Sequence, residues 1–246
     1  MVGTVIAKVA GSSLGATYTM PAADGASGEF LKTDGSTNLS FASAAAGFNR
    51  QVVYTTSSSA GGYSPDTGVT KIIVEIVGAG GGGGRYTADG PKVNSGASGG
   101  YIRKTITVVS TDTMTVTIGG YGTAGGSNSS GSNGGDTTFV SVTGTSIPLL
   151  TAGGGGGGLI TDYGGAVPGT ATGGDFNIAG MQGKTLNFGT GDGGNTIYGH
   201  GGSRTASQST TLYPNATGYG AGGGAASDTG IAGNGAPGLC IITEYK

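Results

Sequence analysis

Short runs of β-branched and aromatic residues alternate along this chain with longer stretches rich in glycine, serine and threonine. Within one such run, Met114, Val116 and Ile118 alternate with two threonines, as in a strand with one side on a core. None of the runs has a helical period, so the pattern predicts a mainly β protein. The predicted strands are residues 52–54, 72–77, 101–109, 114–118, 139–142 and 239–245.

Two glycine-rich runs, residues 78–84 and 153–158, adjoin strand-like segments. Glycine has no side chain with which to form a core, and it loses more conformational freedom on folding than any other residue. A chain with 58 glycines among 246 residues therefore either stays disordered or satisfies its amides through dense backbone contact. We favour backbone contact, with the runs packed as polyglycine II helices of three residues per turn. The expected fold is a short-stranded β-sandwich with glycine-rich loops and packed polyglycine II helices.

The first 47 residues differ from the rest, because alanine, serine and threonine dominate them. Two turn signals, Asp24-Gly25 and Asp34-Gly35, lie on either side of the short piece Glu29–Lys32 and predict hairpins. So small a segment cannot bury a core by itself. We therefore interpret residues 1–47 as a fibre-type assembly segment that joins another chain, and residues 48–246 as a separate domain.

The region between Gly158 and Leu239 has many glycines and little strand signal. Its length of about 80 residues is too great for an ordinary structureless loop in a compact domain. Two alternatives remain open at this point. The region is either disordered or supplies glycine helices and exposed loops.

The composition excludes several classes of protein. Charged residues make up 10% of the chain and the net charge is −2, whereas electrostatic binding of nucleic acid needs a clustered basic surface. We expect no secretory signal after Met1 and no membrane span, which requires roughly 20 apolar residues. The single cysteine, Cys240, lies in an apolar run, so we expect a buried and inert thiol.

A series of short motifs appears in a fixed order along the chain. Tyr63-Ser64-Pro65 is followed by residues 68–80. Later motifs are Gly99-Gly100-Tyr101 and residues 134–139, 149–152 and 235–242. This series resembles a glycine-rich domain found in bacteriophage tail fibres and adhesins, although many members of that family have tryptophan in place of Tyr63. Residues 24–35 also resemble a short module that recurs in phage fibre proteins, often in trimeric shafts.

The resemblance implies receptor binding at the tip of a tail fibre. Glycine helices would form a rigid platform whose connecting loops meet the host surface. Adhesins built on polyglycine helices cap a separate fibre as single chains, whereas the N-terminal module here implies a homotrimer, which we favour. The family pattern has no catalytic residues to transfer, and its contact loops vary, so the resemblance assigns no binding residue.

No pattern in the chain predicts a catalytic or cofactor site. A serine or cysteine nucleophile needs a base, and His200 is the only histidine, for which a loop contact is the simpler interpretation. Residues 189–194 match the dinucleotide-binding glycine pattern, but no βαβ unit surrounds them. The candidate calcium ligands Asp162, Asp175 and Asp192 lack a regular ligand spacing. We therefore expect no cofactor and no bound metal.

Aromatic residues in the glycine-rich connections are the most useful signal for function. A tyrosine ring offers a large amphipathic contact area at small entropic cost. Such rings, with nearby aspartate, asparagine or arginine, suit either sugar rings or the loops of outer-membrane proteins. We expect about half of these tyrosines to be structural instead. The predicted receptor-binding residues are Tyr163, Tyr198, His200, Arg204 and Tyr213.

The sequence thus predicts a non-enzymatic tail fibre or adhesin protein of a phage virion. Its predicted partners are a bacterial surface receptor, either glycan or outer-membrane protein, and other phage tail proteins, without nucleic acid. Two alternatives remain: a structural fibre component with no receptor role, and a depolymerase that acts on surface glycan. A depolymerase should have clustered carboxylates at one site, whereas a rod should have uniform repeats without tyrosine-bearing loops.

Overall fold

The computed structural model describes residues 21–23, 25, 29–33, 36, 38–43, 47–87, 93–160, 165–185, 191–203, 214–227 and 229–246. The chain divides into two compact units, Met1–Phe48 with Lys246, and Asn49–Tyr245. The strands are β1 (Glu29–Thr33), β2 (Leu39–Ser43), β3 (Phe48–Tyr54), β4 (Lys71–Val77), β5 (Arg85–Tyr86), β6 (Tyr101–Thr107), β7 (Thr113–Thr117), β8 (Thr137–Thr143), β9 (Leu150–Ala152), β10 (Ala171–Thr172), β11 (Phe176–Ile178), β12 (Gly199–His200), β13 (Thr217–Gly218), β14 (Ala226–Ser227) and β15 (Leu239–Tyr245). In this described part of the chain there is no helix with the length and apolar character that a membrane crossing requires.

The first unit contains one antiparallel pair, β1 with β2, in a register that runs from Glu29 opposite Ser43 to Thr33 opposite Leu39. The strand predicted at Glu29–Lys32 is therefore confirmed. Phe30 and Leu31 are exposed on β1. The turn signals at Asp24 and Asp34-Gly35 lie outside the described residues, so the hairpin turns predicted there are not assigned a structure.

The second unit contains two larger sheets with one hydrophobic core. The five-stranded sheet has the order β11-β6-β4-β15-β3, and the four-stranded sheet has the order β10-β9-β8-β7. Alternate residues of β4, β6 and β15 belong to the same buried cluster as residues of β7, β8 and β9. The largest fully buried side chains among them are Ile72, Ile76, Ile102 and Ile242 from the first sheet and Met114, Phe139 and Leu150 from the second.

The predicted mainly β fold is confirmed, and each predicted strand overlaps an observed one. In β7, Met114 and Val116 are fully buried, and Ile118 packs partly buried against the core just beyond the strand. The thiol of Cys240 is buried, and burial raises its pKa, so it stays protonated at neutral pH.

A charged network lies inside the second unit at the Glu244 end of β15. The fully buried carboxylate of Glu244 accepts hydrogen bonds from Arg50 Nε at 3.0 Å and Nη2 at 2.9 Å. It also accepts from Asn49 Nδ2 at 2.8 Å and Tyr63 Oη at 3.0 Å. Burial raises the pKa of Glu244, but the hydrogen bonds from Arg50, Asn49 and Tyr63 outweigh burial and lower it overall.

Tyr63, a position at which the sequence resemblance led us to expect tryptophan in many proteins, is part of the core. Its ring is 2% exposed, and its centroid lies 6.4 Å from that of Phe139. The hydroxyl donates to Glu244. Tyrosine therefore fills the apolar space and also satisfies a buried carboxylate, which tryptophan could do only through its single indole N–H.

The glycine run at residues 78–84 continues directly from β4 and is surrounded by other backbones. Its amides, with that of Arg85, donate in rotation to three segments that run antiparallel to it, with N···O distances of 2.9–3.1 Å. Every third amide donates to the same segment. The first segment accepts at Gly100, Ala97 and Asn94 from Gly78, Gly81 and Gly84, respectively. The second accepts at Gly135, Ser132 and Ser129 from Ala79, Gly82 and Arg85, and the third accepts at Ala236 and Gly233 from Gly80 and Gly83. This period of three residues is that of a polyglycine II helix.

The carbonyl groups of the same run accept from three further segments, which run parallel to it. Each segment supplies two donors, spaced three residues apart: Gly155 and Gly158 from the first, Gly122 and Gly125 from the second, and Gly223 and Ala226 from the third. The helix at residues 78–84 therefore has six neighbouring segments, as in a hexagonal array. The helices at 93–100 and 220–226 are bonded in the same way, both to it and to each other. We call this array of helices the glycine lattice.

The lattice requires glycine because the helices lie too close together for side chains. A Cβ atom built on Gly81 would overlap the carbonyl oxygen of Gly156, and one on Gly223 would overlap that of Gly233. At the edge of the lattice, side-chain oxygens replace backbone carbonyls. Asp136 accepts from the Gly154 amide and Asn133 from the Gly157 amide, both at 2.8 Å. Polar residues spaced three apart thus satisfy donors that have no helix beside them.

The lattice also answers the question left open for the region between Gly158 and Leu239. In its described residues, this region contains the short strands β10 to β14 and several helices of the lattice. The alternative of glycine helices with exposed loops is therefore confirmed for those residues.

Candidate functional site

Tyr198 lies beside the outer face of the five-stranded sheet. Its hydroxyl donates to Glu75 Oε1 at 3.2 Å, and the hydroxyl of Tyr101 donates to the same oxygen at 2.5 Å. The two rings are tilted by 51°, with centroids 6.3 Å apart. Burial, followed by the charge of Glu75, raises the pKa of Tyr198 to about 12. Both hydroxyls therefore remain protonated donors at neutral pH.

A groove of about 290 Å³ opens next to these tyrosines. Three of its lining side chains, Ile178, Met181 and Ile197, are large, apolar and more than half exposed. The other lining residues are Ser98, Gly99, Tyr101, Ala179, Gly180, Asn195 and Thr196. An apolar surface of this kind on a rigid body is suited to contact with another molecule.

Most polar side chains of the groove are already used within the protein. Thr196 Oγ1 donates to the carbonyl of Tyr219 at 2.6 Å, and Ser98 Oγ accepts from the Met181 amide at 2.7 Å. Asn195 Oδ1 accepts from the Gly201 amide at 2.7 Å. The groove therefore offers mainly apolar contact, and it could bury an apolar group more readily than a sugar ring rich in hydroxyls.

The end of the lattice farthest from the two large sheets is called the lattice tip here, and it is defined by Gly84, Asn94, Gly158, Thr185 and Ala226. These residues lie at one level, because Gly84 donates to Asn94, Ala226 donates to Gly84, and Asn94 bridges Thr185. Gly158 belongs there because its carbonyl oxygen lies where a Cβ on Gly84 would be placed.

Described residues at or near this tip flank four segments that lie outside the described residues. The four segments are residues 88–92, 161–164, 186–190 and 204–213. Pro214, for example, accepts from the Gly224 amide, and Gly191 accepts from the Ala225 amide, both within the last turn of the 220–226 helix. The described residues on either side of these four segments thus lie at one end of the lattice.

The structure describes two of the five predicted site residues, Tyr198 and His200. Tyr198 lies against β4 of the five-stranded sheet through its hydrogen bond to Glu75. The exposed His200 follows in β12, which pairs with β13 (Thr217–Gly218). Tyr163, Arg204 and Tyr213 lie outside the described residues, in segments whose flanking residues are near the lattice tip. Their role in receptor binding stays a prediction.

The carboxylates considered as metal ligands are separate from one another where they are described. Asp175 pairs with Lys104 Nζ at 3.1 Å and accepts from the Thr105 amide at 2.9 Å. Asp192 is on a lattice helix, and Asp162 lies outside the described residues. In the part of the chain that the structure describes, no group of three His, Cys, Asp or Glu side chains is arranged to hold a metal ion.

The groove residues Ile178, Met181 and Ile197 were not predicted as candidates. They lie in glycine-rich sequence without a strand period, so only their size could have marked them. Large apolar residues in a region whose neighbours have no side chains cannot all enter a core. The same reasoning holds for these aliphatic residues as for the tyrosines in the glycine-rich connections.

Comparison with known proteins agrees with the architecture. A family model described as a glycine-rich domain matches residues 55–245. No curated protein matches the chain. The matched region includes the four-stranded sheet, every strand of the five-stranded sheet except β3, and the glycine lattice, and it covers well over half of the chain. The chain therefore belongs to the glycine-rich domain family.

Proposed function

We propose that this protein is a phage tail fibre or adhesin protein that attaches the virion to a receptor on the host cell surface, without catalysis. The observation that supports this most directly is that the described residues flanking four connections between lattice helices lie at the tip. Binding residues are commonly found on loops positioned by a rigid scaffold. Here the scaffold is held by backbone hydrogen bonds, so side chains in the connections are free to serve recognition.

The proposal includes the partners and assembly expected from the sequence. The N-terminal unit joins other tail proteins and forms a homotrimer, which presents several tips to one cell. Because linked sites raise the effective concentration, weak contacts at each tip can together increase attachment by about 10² to 10⁴. The chemistry of the receptor, glycan or outer-membrane protein, is left to experiment.

Cell labelling tests this proposal. We expect fluorescently labelled protein, shown by light scattering to be assembled, to label host bacteria saturably and to leave non-host bacteria unlabelled. Tyr213→Ala should weaken labelling by at least about tenfold if this ring is a central contact at the tip. Phe176→Ala, which removes an exposed ring from the edge strand β11, is the matched control and should label normally.

Three outcomes would contradict the proposal at different levels. Normal labelling by folded Tyr163→Ala, Arg204→Ala and Tyr213→Ala variants would exclude the predicted contacts. Absence of host labelling by the folded, assembled wild type would favour the structural fibre component. Release of soluble sugars from host glycan would instead favour the depolymerase.

A further inference from the structure

We propose that Arg85, at the lattice tip, binds an oxyanion, which is a carboxylate or phosphate group of the receptor. This inference rests on the proposed function, because it names the chemistry that the attachment surface would recognise. It concerns a residue that neither the sequence patterns nor the family model singles out.

The backbone of Arg85 is held on two sides. Its amide donates to the carbonyl of Ser129 at 3.0 Å, and its carbonyl accepts from the Ser129 amide at 3.1 Å. It also pairs with Ala226 between the parallel strands β5 and β14. The side chain therefore starts from a fixed point directly after the central helix of the lattice.

The guanidinium of Arg85 has a buried N–H donor, at Nε, that has no hydrogen-bond acceptor in the described residues. The side chain is half-buried, and Nε is buried with no hydrogen-bond partner in the described part of the protein. Elsewhere in that part, Arg50 and Lys104 have carboxylate partners. A buried donor on a charged group without an acceptor is rare and costs the desolvation of that group. A bound ligand would remove this cost.

The geometry of the group defines what it can bind. Guanidinium is planar, and two of its parallel N–H groups match the two oxygens of a carboxylate or phosphate. A neutral hydroxyl could satisfy Nε alone but would leave the charge without a counterion. An oxyanion is therefore the ligand that satisfies both requirements.

A neighbouring side chain offers further donors. Asn128, next to Ser129, accepts at Oδ1 from the amide and hydroxyl of Thr87, at 2.9 and 3.0 Å. This leaves the NH₂ of Asn128 without a partner in the described residues. Asn128 also has a left-handed backbone, with φ of 55°, a conformation that asparagine tolerates and that is frequent at functional sites. Because Asn128 precedes Ser129, which is bridged to Arg85 through the backbone, its NH₂ is a second donor in the same part of the tip.

Nuclear magnetic resonance of the arginine Nε–Hε groups tests binding directly. We expect inorganic phosphate and acetate, added separately at constant ionic strength, to shift the Arg85 signal saturably. The anion that binds more tightly shows whether the receptor group is a phosphate or a carboxylate. Arg103, an exposed arginine on β6, is the control and should shift little. Equal shifts of both signals, or none at Arg85, would overturn the inference. So would a shift of Arg85 caused by Asp89→Asn or Asp228→Asn without added anion, since Arg85 would then be paired within the chain.

Cell labelling separates this inference from the proposed function. We expect Arg85→Gln to weaken host labelling about tenfold, as for loss of a charge-assisted hydrogen bond, and Arg85→Lys to weaken it less. Arg103→Gln should label normally. If the wild type labels host cells and Arg85→Gln labels them equally, the inference fails and the proposed function stands. If Arg85 responds to phosphate but the wild type labels no cells, the proposed function fails.

Discussion

A Gly81→Ala variant is expected to lose about 3 kcal/mol or more of unfolding free energy, because overpacking typically costs 1–3 kcal/mol and here no side chain can move aside. The new methyl group would overlap the backbone of Gly156, which is itself bonded to other helices. For a domain of this size, a loss of that magnitude corresponds to a fall in melting temperature of roughly 6–12 °C. Thermal unfolding followed by circular dichroism or calorimetry measures it.

Gly120→Ala is the matched control. A Cβ on Gly120 meets no atom within 4 Å, and its φ lies outside the left-handed region. This substitution should be neutral or should stabilise the protein by about 0.4–1 kcal/mol through a smaller unfolded-state entropy. Equal melting temperatures for Gly81→Ala and Gly120→Ala would show that the lattice is looser than described.

Replacing Arg50 by methionine is expected to cost about 3 kcal/mol at pH 7, because it leaves the buried Glu244 carboxylate without its cation. The hydrogen bonds in the wild type hold the pKa of Glu244 below its unfolded value. The resulting stability is therefore fully present above about pH 4.3, the usual glutamate value, and is lost as the pH falls through the folded pKa. The difference between wild type and Arg50→Met should shrink at low pH.

Urea denaturation at pH 7 and at a series of lower values measures this difference. A second variant, Glu244→Gln, keeps the shape of the side chain and removes its charge, so its stability should depend less on pH than that of the wild type. A difference between wild type and Arg50→Met that is constant across this range would assign the loss to packing of the arginine stem.

The strands could be predicted from sequence because their side chains differ on the two faces. Met114 and Val116 alternate with threonines, and that alternation alone defines which side meets the core. Strands of two residues, such as β12 and β13, are too short to show any period. Glu244 could not be recognised as a buried charge either, because its partner Arg50 is 194 residues away in the sequence.

The helices of the lattice could be anticipated from sequence, but their neighbours could not. Residues 78–84 have almost no side chains, so nothing in the run itself distinguishes residues 93–100 from 153–158 as a partner. The arrangement depends on which strand each helix follows or precedes, as β4 precedes residues 78–84. The candidate site was less predictable for the same reason: Tyr198 is placed by Glu75 and Tyr101, both in strands that are distant in sequence.

The glycine lattice also bears on how stability varies with temperature. Unfolding normally raises the heat capacity by about 12–15 cal/mol/K per residue, chiefly through exposure of apolar surface. The lattice buries peptide groups in place of apolar side chains, and exposure of polar surface lowers the heat capacity. Its contribution should therefore flatten the stability curve, so that the protein keeps a similar margin of stability in cold and warm surroundings, where a protein with only a hydrophobic core would lose more of it.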